Sequence, residues 1–136
     1  MSHFTTVHTK IRDPDCLMRA MEKVKPGWVG KIERHRDPQH LRGFQNDQRE
    51  QMAHIIVRRR HVGQASNDLG FLRQPDGSYG IHISDHDAGH NGYTNDWVSQ
   101  LTRTYAEEKV MRALKARGMQ FNTQKTKDAT TIKVLV

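Results

Sequence analysis

The chain opens on an alternating run. From Phe4 to Ile11 it is rich in β-branched residues, with Thr5, Val7, Thr9 and Ile11 on one face and Thr6, His8 and Lys10 on the other. This pattern predicts a strand. Asp13-Pro14-Asp15 then reads as a helix start: Asp13 can cap free N–H groups, Pro14 suits the first helical position, and Asp15 complements the positive end of the dipole. Leu17, Met18, Met21 and Val24 follow at helical spacing, and Pro26-Gly27 ends the run. Trp28 to Glu33 is read as a second strand. Arg34 to Gln51 is dense in charge and amides with only Leu41 and Phe44 as apolar anchors, so it is expected to be a surface excursion with a short strand around Leu41 to Gln45.

Met52 to Arg60 reads as a central strand. Ile55 and Val57 point one way, His54 and Ile56 the other, so both faces are expected to be buried, while Arg58, Arg59, Arg60 and His61 emerge into solvent. Asp68 to Leu72 and Ser78 to Ile83 flank Pro75-Asp76-Gly77, a hairpin with turn chemistry at its tip. Ser84 to Tyr93 is read as a polar loop. A long helix runs from Asn95 to Arg117, with an apolar stripe of Trp97, Leu101, Tyr105, Val110, Met111 and Leu114 and with Gly118 past its end. Gln120 to Gln124 and Thr131 to Leu135 form a last hairpin. The order is β-α-β-β-β-β-α-β-β. It predicts one α+β domain over residues 1–136, with a single antiparallel or mixed sheet and two helices packed on one face.

Composition changes this picture little. The 136 residues suit one domain, and the single Cys16 excludes an internal disulfide or a thiolate-rich zinc site. No leader-like segment and no apolar run of membrane-spanning length is seen, so the cytosol is the expected compartment and no membrane partner is expected. Charge changes it more. The formal charge is +7 and the sequence pI about 9.9, which favours association with anionic partners.

Three blocks carry a family resemblance: Met1-Ser2-His3-Phe4-Thr5-Thr6; Asp68-Leu69-Gly70-Phe71 with Asp76-Gly77-Ser78-Tyr79; and Leu101 to Val110. Together, in this order, they resemble a family of unknown function that includes the plastid and cyanobacterial protein called hypothetical chloroplast reading frame thirty-five. The resemblance implies a small α+β domain. It also implies an accessory role, with an AAA-type ATPase as a partner, and brings no established activity. The Arg34 to Gln51 excursion and the His-rich Ser84 to Tyr93 loop depart from the family pattern.

The candidate binding surface is a basic face made by Lys31, Arg34, Arg36, Arg42, Arg58, Arg59 and Arg60, with Trp28 or Phe44 available to stack on a base. A second cationic set, Arg103, Lys109, Arg112, Lys115 and Arg117, runs along the long helix. His82, Asp85, His86 and His90 have metal-ligand chemistry, against the plain reading of a solvated polar loop. His3 and His54 are placed on neighbouring strands. Tyr105 with Lys109, and Cys16 in the first turn of a helix, are read as structural. No phosphate loop, nucleophile elbow or zinc-protease motif occurs, and no cofactor is expected. The expected function is a non-enzymatic accessory module binding an acidic macromolecular partner. Direct nucleic-acid binding and a metal-dependent enzyme using the His82 to His90 loop are the alternatives.

Overall fold

Residues 3–135 are described by a computed structural model of the chain. Strand β1 (Phe4–His8) ends where Thr9 leaves the ladder: its hydroxyl donates to the Tyr79 carbonyl at 2.7 Å and accepts the Ile11 N–H at 3.1 Å. Helix α1 (Pro14–Val24) starts as its sequence predicts, the Asp13 carboxylate accepting the N–H groups of Asp15 and Cys16. Its inward stripe is Cys16, Leu17, Ala20 and Met21. The expected strand at Trp28 is instead a 3₁₀ turn, Pro26–Trp28. The indole packs into the core at 2 % exposure and donates Nε1–H to the His61 carbonyl at 2.8 Å. A buried indole N–H must find an acceptor, and this carbonyl provides it.

The largest departure from expectation is the charged stretch after residue 33. It is no excursion but the paired arms of a long hairpin, β2 (Ile32–Arg42) and β3 (Gln48–Val57). Register shifts between Arg34 and Gln39 and between His40 and Arg42 bend the hairpin. A bulge strengthens local twist, and the bent arm curls over the sheet. Leu41 lands, fully buried, on Ala53 and Ile56 as a second small core on the sheet's far face, with Phe4 against it. Gly70 makes room for this contact, because a Cβ there would lie 2.6 Å from Ala53 Cβ and 2.8 Å from Leu41 Cδ2.

The short helix α2 (Arg59–Val62) follows, then β4 (Leu69–Arg73), β5 (Tyr79–Ser84) and the short helix α3 (Asp85–His90), which replaces the expected loop. Helix α4 spans Asn95–Ala116 and is followed by β6 (Gln120–Lys125) and β7 (Thr130–Leu135). Gly118 takes the left-handed conformation (φ +67°) at the helix end, which glycine adopts without a Cβ penalty.

The fold class holds. Five strands form one fully antiparallel sheet in the order β1-β5-β4-β3-β2, and β6 and β7 form a separate two-stranded ribbon. Helices α1 and α4 cover one face. There Leu17, Met21, Trp97 and Leu101 meet Ile55, Val57, Phe71 and Ile81, while Trp28, Tyr93 and Trp97 pack ring against ring. The expected stripe along α4 is half right. Its inner positions are Trp97, Leu101, Thr104, Glu107 and Glu108, and Val110 is 47 % exposed. Glu107 and Glu108 are tolerated inside because cations reach them: Lys23 pairs with Glu108, and Lys125 and Arg103 approach Glu107 at 3.9 and 4.0 Å. Among the described residues no helix is long and apolar enough to cross a membrane.

Candidate functional site: an arginine-lined cleft

The three consecutive arginines have different roles. The expected central strand is β3, an inner strand beside the middle one, β4, and it stops at Val57. Arg58 follows it as the residue before α2 and turns inward, not into solvent. Its Nε and Nη2 donate to the Glu33 carboxylate at 2.9 and 3.0 Å, and Nη1 donates to Asp68 Oδ2 at 2.9 Å. Asp68 is 1 % exposed and also accepts the backbone N–H groups of Arg42 (2.6 Å) and Arg59 (2.7 Å). A buried carboxylate with three donors is well solvated by the protein. It ties the end of β2, the start of α2 and the approach to β4 into one knot. The Arg58 hydrogen bonds hold the Glu33 carboxyl below its ordinary value against the opposing effect of burial, with His35 adding to the shift.

Arg42, Arg59 and Arg60 stand round this knot and line, with Gln39 and Gln48, a cleft of about 480 Å³. Their guanidinium groups meet only neutral acceptors: Arg42 Nη1 donates to the Asn46 carbonyl (3.3 Å), Arg59 Nη1 to the Phe44 carbonyl (3.1 Å) and Arg60 Nε to His61 Nε2 (3.1 Å). Among the described residues none of the three joins an ion pair, and the one carboxylate in the cleft wall, Asp68, is already taken by Arg58. The His61 imidazole is held below its ordinary value by burial and by the nearby Arg60 and Lys31 charges.

The predicted basic face therefore divides. Arg42, Arg58, Arg59 and Arg60 share the cleft, whereas Lys31 does not line it and lies close enough to His61 for its charge to act there. Arg34 and Arg36 border a different groove with Arg73, Tyr79 and Pro14, and Arg34 is paired with Asp15 at 2.7 Å. Of the two aromatic side chains offered for stacking, Trp28 is enclosed in the core, whereas Phe44 is 52 % exposed and walls the groove next to the cleft.

The candidate metal ligands do not converge. His82 sits on the far face of β5, nearly buried, with Nδ1 2.9 Å from Thr6 Oγ1 and a pKa lowered by burial. Asp85 accepts from Thr5 Oγ1 at 3.2 Å, beside β1. Only His86 and His90 meet, ring centroids 4.9 Å apart one helical turn from each other. Among the described residues no group of three or more His, Cys, Asp and Glu side chains is placed to hold a metal ion. His3 and His54 are not neighbours either, since β5 and β4 separate β1 from β3. Lys109 is exposed and approaches Asp13 at 3.7 Å, while the Tyr105 hydroxyl accepts the N–H groups of Arg12 and Asp13. Burial pushes the Cys16 thiol up.

One polar feature went unread in the sequence. Asp87, 1 % exposed, accepts Ser84 Oγ (2.6 Å), Asn67 N–H (3.2 Å) and Asn91 Nδ2 (2.8 Å). This network anchors the 63–68 segment that presents Asp68 to the cleft. The signal was available: Ser84 and Asp87 have the spacing of a capping box, with the Asp87 N–H donating back to Ser84 Oγ at 3.1 Å.

A family model described as a protein of unknown function, DUF1257, matches residues 31–135. The chain belongs to this family. The match takes in β2 through β7, hence the whole arginine cleft of this DUF1257 domain, and leaves β1 and α1 outside. It agrees with the resemblance carried by the hairpin and late-helix blocks. Neither the search of curated proteins nor that of solved structures finds a match.

Proposed function

We propose that this DUF1257 chain is an accessory binding module that docks an acidic macromolecular partner, an acidic protein surface in the first instance, on the cleft of Arg42, Arg59 and Arg60. The observation behind this reading is the contrast within one cleft. Arg58 is neutralised by two carboxylates, and its three neighbours have no counterion among the described residues. Guanidinium groups offer paired donors in a fixed fork that suits carboxylates, and three of them round one depression make a multi-point anchor. Gln39 and Gln48 add neutral donors and acceptors beside them. An AAA-type ATPase, which the family resemblance implies, is the first partner to try.

The test is retention of proteins from nuclease-treated host extract by the wild-type chain and by the triple variant Arg42→Glu, Arg59→Glu, Arg60→Glu. The reading expects a protein held by the wild type, released by rising salt and not held by the variant. Equal retention by both chains overturns it. Circular dichroism of the variant separates lost binding from lost fold.

A further inference from the structure

The net charge of the chain is not concentrated at the arginine cleft. Residues 1–102 hold fourteen Lys and Arg against twelve Asp and Glu, and residues 103–136 hold eight against three. Five of the seven net positive charges therefore belong to residues 103–136, which are α4 from Arg103 onward and the β6–β7 ribbon. Of this stretch only Tyr105 packs against an apolar core among the described residues. The ribbon's register places Phe121 opposite Val134 and Thr123 opposite Ile132 on one face, and Asn122 opposite Lys133 and Gln124 opposite Thr131 on the other. The second face is exposed throughout, while Phe121, Ile132 and Val134 are half-buried.

Between α4 and the ribbon runs an open groove of about 780 Å³. Met111 and Phe121 give it apolar surface, Asn122, Gln124 and Thr131 line it with amides and a hydroxyl, and Lys115 and Lys133 bring two ammonium groups. No carboxylate lines it, and neither lysine joins an ion pair among the described residues. Exposed Arg117 and Lys127 precede and follow β6. An acidic peptide would be satisfied by the cations alone. The amides and the aromatic ring beside them fit a ligand with phosphates, hydrogen-bonding edges and flat faces together.

We propose that this groove binds single-stranded nucleic acid. Lys115 and Lys133 neutralise phosphates, Phe121 stacks against a base, and Asn122 and Gln124 hydrogen-bond base edges without fixing a sequence. The proposal is independent of the cleft reading, because it uses another surface and other residues.

The experiment is fluorescence anisotropy with a dye-labelled oligothymidylate strand and a blunt duplex of equal length, on the full chain. The wild type is expected to bind the single strand more tightly than the duplex. Its affinity should fall roughly fiftyfold between 50 and 200 mM salt if four phosphates are paired. Lys115→Glu with Lys133→Glu should weaken binding about tenfold or more. Phe121→Leu, which keeps the apolar fill and removes the stacking face, should weaken it about fivefold or more. The Arg42→Glu, Arg59→Glu pair, which changes the net charge equally but away from the groove, should weaken it much less than the lysine pair does. Absence of binding at 50 mM salt, equal affinity for the duplex, or indifference to Phe121→Leu overturns the proposal. Loss of binding in the arginine pair with retention in the lysine pair moves the nucleic acid to the cleft, and overturns it too.

Discussion

The cleft around Asp68 and the groove beside the C-terminal ribbon are both basic, but they are organised differently. In the cleft a buried carboxylate sorts the cations: it takes Arg58 into the fold and accepts the backbone of Arg42 and Arg59, so their side chains are held in place without being neutralised. In the groove nothing sorts them. Lys115 and Lys133 stand on an exposed helix end and a ribbon of two strands, an arrangement that has little stability of its own in water. The comparison teaches that a run of cations in sequence does not show which members are available to a partner. The position of the nearest buried carboxylate decides it.

Substitutions can break this contrast, and the strongest is Asp68→Ala. It would leave Arg58 half-paired and two backbone N–H groups without their acceptor, at a cost of about 3–5 kcal/mol in a denaturant titration. A cost under about 1 kcal/mol would mean the knot is not what holds the cleft. Leu41→Ala should lose about 2–5 kcal/mol, since it empties the small core under the curled hairpin. Gly70→Ala should lose about 1–3 kcal/mol, because the new methyl would press on Ala53 and Leu41. If both variants keep wild-type stability, the hairpin does not close over the sheet's far face.

Acid sharpens the same comparison. Glu33 is held below its ordinary value of 4.5, chiefly by the Arg58 hydrogen bonds. A carboxyl whose folded pKa is depressed contributes stability that is present above its unfolded value and is lost as pH falls through the folded one. Stability should therefore decline below about pH 4.5, and Glu33→Gln should make that decline shallower; an unaltered acid profile would remove Glu33 from the account. The smallest expected effect is at Val110. Exposed on α4, its change to Ser should stay within about 0.5 kcal/mol of wild type, whereas Leu101→Ala on the same helix should lose about 2–5 kcal/mol.

Local signals in the sequence were readable where one force acts alone. Asp13-Pro14 capped α1, Pro75-Asp76-Gly77 turned a hairpin, and Ile55 and Ile56 pointed to opposite buried faces, all as the structure has them. The signal was weak where distant segments cooperate. Residues 34–51 look like solvent-facing chain because one apolar residue, Leu41, decides their packing, and its partners lie on β3 and at Gly70. Likewise Arg58, Arg59 and Arg60 are equivalent by type. Only the approach of Glu33 and Asp68, 25 and 10 residues away, makes the first of them different. The metal reading rested on residue type around Ser84, and there a strand gives way to a capped helix that sends His82 and His86 to different surroundings.

The account stands on the claim that Arg58 belongs to the fold and Arg59 to a partner. A urea titration of Arg58→Met beside Arg59→Met tests it most directly. The account predicts a loss of about 3–5 kcal/mol for Arg58→Met and a change within about 0.5 kcal/mol for Arg59→Met. Equal losses in the two variants would contradict it, because Arg59 would then be a residue of the fold and not a free anchor for a partner.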